Sequence, residues 1–292
     1  MNRVMIVKSS VQRPRGGGLH SGVRIVANAA ALALVLVAWA STSFAAAGPP
    51  RGSFVVHAAT QRAAEMIEEH AEHVRGRIFA TILGADQPPA WKQACEIHVH
   101  PTPESFAAAV GGPPAAARGA TSIEFAGDQV SLRRIDVMGE DPTTIPDALA
   151  HELVHVVLAE RFTLGPPPRW ADEGLAMLFD PLDKQRGHEA DARAARRRDL
   201  AFSATDLLTL ETYPDSTGRQ RVFYGQSAML VRWLLARGDM EKLLRFLEEC
   251  GDAGVESALE RHYRIGSVND LETAWESPTP LLEIPLLVDG SE

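Results

Sequence analysis

Cysteine is scarce in this chain: Cys95 and Cys250 are the only two in 292 residues. Two thiols cannot build a disulfide framework or a multi-cysteine zinc cage. They permit one bridge in an oxidising compartment, or simply two small buried hydrophobic side chains. Positive charge is also in deficit. Lys and Arg number 29 against 38 Asp and Glu, for a net charge of −9, which argues against general nucleic-acid binding. Beyond residue 47 there is no membrane-length apolar run. No internal repeat is found. What remains is 45% apolar and 23% charged, a composition that excludes wholesale disorder. The length suits one large domain or two small ones.

The charge is unevenly spread. Residues 1–45 carry Arg3, Lys8, Arg13, Arg15 and Arg24 and no acidic residue, so the rest of the chain is more acidic than the total suggests. Residues 25–40 (IVANAAALALVLVAWA) are uncharged, and the small residues of STSFAAAG follow. A basic stretch, an apolar stretch and a small-residue cleavage region make a secretory signal peptide, with cleavage expected after Ala45 or Ala47. The alternative is a retained anchor, in which 41–47 extends the apolar stretch toward the roughly 20 residues of a span. Either way the body is expected outside the cytoplasm, periplasmic or extracellular, touching a membrane only through such an anchor.

Residues 46–52 read as a linker. A strand is expected at 53–58 and a long helix at 60–84, where Ala63, Met66, Ile67, Ala71, Val74, Ile78 and Ile82 recur at helical spacing. CEIHVHP, 95–101, alternates, with Cys95, Ile97 and Val99 on one face and Glu96, His98 and His100 on the other. A short helix opens near 103, and 121–138 reads as two strands joined by a turn at 126–128. Beyond 143 helices dominate, at about 145–160, 169–179, 222–237, 239–250, 254–264 and 267–275. A polar, arginine-rich stretch, 183–199, separates the second from the third, and 277–292 reads as an irregular tail. The order implies an α+β domain over 53–276, with a sheet-containing lobe at 53–160 and a helical lobe at 161–276.

Residues 151–155 read His-Glu-Leu-Val-His, within a segment built to be helical. Thr144 and Asp147 resemble a capping box, and Pro146 sits where an early-turn proline is tolerated. Residues i and i+4 share a helix face, so His151 and His155 can aim imidazole nitrogens at one zinc ion. Glu152, rotated by about 100°, can reach a water held there and act as a general base. A catalytic zinc needs a third protein ligand. A metzincin would need glycine at 158 and histidine at 161; Leu158 and Arg161 exclude that class. The best third ligand is Glu173, in 168–176, with Gly174 behind it to let its helix approach the histidine helix. Asp172 is the rival, or a residue that orients a ligand.

His-Glu-Leu-Val-His followed by Trp170-Ala-Asp-Glu-Gly-Leu-Ala176 resembles the gluzincin metallopeptidases, the thermolysin-like and M1-aminopeptidase-like clan, and more narrowly the bacterial peptidase MA-like domains. The likeness is close over 144–179 and looser over 223–233. It implies a zincin-like fold, one zinc held by His151, His155 and Glu173, and Glu152 as general base acting on a peptide or protein substrate. It offers Tyr224 as the oxyanion donor. It also implies that a strand such as that at 129–136 edges the cleft and pairs with substrate backbone. The glycine-rich strand with which aminopeptidases grip a free amino terminus is missing. Val137-Met-Gly-Glu-Asp141 does not match it, so an endopeptidase is favoured over an aminopeptidase. No calcium-loop pattern is present. The alternative is a non-catalytic, zinc-containing binding module on the same fold.

Other candidates have plainer readings. Asp147 could orient His151 or simply start a helix. His98 and His100 share a strand face and could bind metal, but Glu96 shares it too and a solvated polar face is the plainer reading; His70 and His73 read as surface, and Arg193, Arg196, Arg197 and Arg198 as a solvated face, a lid or a contact for acidic substrate.

Overall fold

The computed structural model describes residues 2–11, as backbone, together with 52–111 and 117–275. The rest of the expected targeting segment, nearly all of the linker and the tail lie outside these residues. No described helix is long and apolar enough to cross a membrane.

The architecture is mixed, with strands early and helices late. Strands β1 (Asn2–Val11), β2 (Phe54–His57), β3 (Cys95–His100), β4 (Ala117–Ala126) and β5 (Gln129–Met138) form one sheet in the order β1-β4-β5-β3-β2. β2, β3 and β5 run parallel; β4 is antiparallel to β5 and to β1. The β4–β5 turn is the expected one, with Gly127 at φ 68°, a left-handed conformation that glycine adopts without a Cβ clash.

The alternation of 95–101 decides the two faces of the sheet. Cys95, Ile97, Ile135, Val137 and Ile123 are fully buried on the inner face. Helices α1 (Gln61–Ile78) and α3 (Leu149–Arg161) pack on that side. α1 begins where Thr60 accepts a hydrogen bond from the Ala63 amide and continues as a π-helical turn, Phe79–Leu83. Helix α2 (Pro103–Val110) covers one end of the outer face, where Phe106 meets Ala120 and Met138.

The helical half comprises α4 (Arg169–Met177), α5 (Leu182–Arg196), α6 (Ala204–Thr209), α7 (Thr217–Leu235), α8 (Met240–Ala253), α9 (Val255–Tyr263) and α10 (Val268–Trp275). α4 and α5 both pack on α7, and one hydrophobic core runs from Phe54 through α3 to Trp275. The sheet-bearing and helical parts thus share a core.

Several expectations are corrected here. The polar, arginine-rich 183–199, to which no helix was assigned, is largely α5. Its inner face, Gln185, His188, Glu189, Ala192 and Ala195, is at helical spacing but mostly polar, so hydrophobic periodicity does not mark it. Buried Glu189 is paired with Arg232 of α7. α6 was not expected. Thr144 and Asp147 make no capping box, because α3 starts at Leu149 with Ala148 at its cap. Thr144 instead donates to the Asp141 carbonyl. Of the two readings left open for Cys95 and Cys250, the structure has the free thiols, and burial pushes both up, Cys250 to about 12.

Candidate metal centre

α3 owes its place to its sequence. Leu149, Leu153, Val154, Val156 and Val157 are apolar on every side, so the helix is buried all round. That burial carries His151, Glu152 and His155 inside with it, each fully shielded from solvent. α4 brings Glu173 to the same point, also fully buried. One ligand atom from each of His151, His155 and Glu173 lies within 4.8 Å of the others. His151 Nε2 is 3.2 Å from a Glu173 oxygen.

Glu173 sits inside α4. Gly174 does serve a close approach, but to α7: a Cβ there would lie 2.6 Å from the Ser227 carbonyl oxygen. The histidine helix is not the partner expected of it.

Each imidazole is held from behind by a carboxylate. His155 Nδ1 is 2.8 Å from Asp172, and His151 Nδ1 is 3.1 Å from Asp180, which Lys184 also holds at 2.7 Å. Asp172, the rival ligand of the sequence, is therefore an orienting group. Asp180 was missed. It lies seven residues after Glu173, two helical turns on, past the end of α4, where no periodicity extends. Asp147 is not the partner at His151 Nδ1; it lies exposed beside a cavity of about 660 Å³ that Asp180 also lines.

The charges are strongly coupled. Burial lowers the His151 pKa, but Asp180 and Glu173 outweigh it and raise the group to about 10. His155 is raised in the same way by Asp172. Burial acts to raise Glu173 and Asp180, yet the facing cations hold both below the usual carboxylate range, Asp180 at about 2. The surroundings favour positive charge at the imidazoles. A metal ion would supply that charge without protons.

The donor set fits zinc: two imidazoles and a carboxylate converge, and the outer nitrogens hold the tautomers that leave Nε2 as ligand. The most direct sign is His155 Nε2, which is buried without a hydrogen-bond partner. An orphaned nitrogen in a dry site costs free energy unless something binds it.

Glu152 points to β4. Thr121 donates to its carboxylate at 2.7 Å, and a Cβ on Gly119 would come 2.3 Å from its Oε1. β4 is thus the strand that borders Glu152. β5, the expected cleft edge at 129–136, lies inside the sheet between β4 and β3, so its backbone is paired on both sides. The outer edge of β4 carries β1.

A tyrosine hydroxyl donates to Glu173, and it belongs to Tyr213, in the loop before α7. Burial and the Glu173 charge push this phenol well above its ordinary value. Tyr224 is buried on α7, with its ring 6.3 Å from that of Tyr213 and 5.5 Å from that of His188. Tyr213 carries no sequence signal, since a lone tyrosine among Pro, Asp and Ser residues reads as loop.

A scan against family models and searches of curated proteins and solved structures found no match to this chain.

Proposed function

We propose that the chain is an exported zinc metallopeptidase of gluzincin type, favouring internal peptide bonds. The observation that carries this reading is the convergence of His151, His155 and Glu173 around an unpartnered His155 Nε2, with Glu152 one residue along the same helix. His151, His155 and Glu173 would hold the metal. When bound, zinc polarises a carbonyl and lowers the pKa of a water.

The protein's own groups do the rest. Asp172 and Asp180 fix the two imidazoles in one tautomer and orientation. Glu152, steadied by Thr121, accepts a proton from the attacking water and delivers it to the leaving amine. Tyr213, whose hydroxyl already stands at the cluster, is placed to donate to a developing oxyanion; Tyr224 is the alternative donor. An extended substrate would pair with the outer edge of β4, in place of β1. Because the ligands are fully buried, entry requires part of their surroundings to open.

The same sealing favours a second reading, a closed structural zinc in a binding module, since structural sites lack an open position. One experiment separates them. The full chain is purified, its metal counted by elemental mass spectrometry, and a peptide library digested with and without chelator. About one tightly held zinc with chelator-sensitive cleavage supports the peptidase. Zinc without cleavage supports the module. Failure to retain zinc after reconstitution defeats both.

A further inference from the structure

A second histidine–carboxylate cluster lies on the outer face of the sheet, away from α3. His57 closes β2, and its register partner on β3 is His98. Glu96, two residues earlier on β3, points to the same side. One ligand atom from each of the three lies within 4.8 Å of the others. His98 Nε2 is 3.0 Å from a Glu96 oxygen, and the His57 and His98 rings stack at 4.4 Å.

The scaffold beneath them is fixed. β3 is paired on both sides, by β5 and β2, so the Cα positions of the triad are set by the ladder and only side-chain rotamers need adjust. Two imidazoles and a carboxylate are a borderline donor set suited to zinc, and solvent can complete the coordination. The neighbouring cation is largely neutralised. Arg134, the register partner of Glu96, makes two 2.8 Å hydrogen bonds to Asp136, which also takes His100.

We propose that His57, Glu96 and His98 form a second, surface zinc site that clamps the edge strand β2 to β3. It holds metal less tightly than the α3 centre, since His57 and Glu96 are exposed, His98 is only half-buried, and water solvates them before binding.

The test uses the full chain, stripped with chelator and titrated with zinc alone by calorimetry, with bound metal counted by elemental analysis. The parent is expected to take up about two zinc ions, one at each cluster. His57→Ala and His98→Ala are each expected to remove the weaker one; His57 is exposed and His98 half-buried, and circular dichroism checks that each variant keeps the fold. Glu96→Gln should weaken it. A single zinc that His98→Ala removes supports this site and defeats the α3 centre. A single zinc that His98→Ala leaves in place does the reverse. Uptake of two zinc ions unchanged by His57→Ala and by His98→Ala would mean an adventitious ion only and overturn the proposal.

Discussion

The two triads hold the same chemistry, two imidazoles and one carboxylate, in opposite surroundings. His151, His155 and Glu173 stand on helices in a dry core, while His57, Glu96 and His98 stand on strands at the surface. In the core, water cannot satisfy the ligand groups, so Asp172, Asp180, Lys184 and Tyr213 surround them, and within the triad His155 Nε2 is left without a partner. At the surface water satisfies the same groups, and convergence costs the fold little. Burial, more than ligand identity, distinguishes a centre the fold is organised around from one it merely permits.

The largest effect should come from Glu152, which belongs only to the buried region. Glu152→Gln should retain zinc and lower peptide hydrolysis by about 10³-fold, the scale of a lost general base. Undiminished hydrolysis would take the role from Glu152.

Acid should also separate the regions. Burial, with Lys184 nearby, holds the His188 imidazole down at about 4 against an ordinary 6.5. The unfolded chain therefore takes up a proton near 6.5 that the folded chain refuses. The contribution is fully present above 6.5, declines as pH falls from 6.5 to about 4, and is constant below. The loss reaches about 3 kcal/mol at most. Urea unfolding of the metal-free chain and of His188→Gln across this window should show the steeper decline in the parent; parallel curves would refute it.

Next in size is the carboxylate behind His151. Asp180→Ala should weaken zinc at the α3 centre by about 10- to 100-fold, by freeing an imidazole that Asp180 now orients. Competition against a chelator measures it, and unchanged affinity would make Asp180 merely a partner of Lys184. The smallest effect belongs to the surface. In metal-free protein, His98→Ala should change unfolding free energy by no more than about 0.5 kcal/mol. A larger loss would show that the outer cluster stabilises the fold without any ion.

The residues themselves determined a good deal. Alternation in 95–101 assigned the inner and outer faces of β3, because strand side chains point to opposite sides in turn. The i, i+4 spacing of His151 and His155 put both on one face of a helix, and its apolar flanks marked that helix as central. These are local consequences of backbone geometry and can be read over a few residues.

Tertiary structure alone decided the rest. It made α5 a helix whose inner face is polar, because Arg232 of α7 neutralises Glu189. It set β4 rather than β5 beside Glu152 and turned Gly174 toward α7. It brought Asp180 and Tyr213 to the ligands and joined His57 to Glu96 and His98 across two strands. These relations depend on which segments meet, and the free energy that pairs them comes from burial across the whole core. A sequence pattern confined to one helix or strand carries no trace of such meetings.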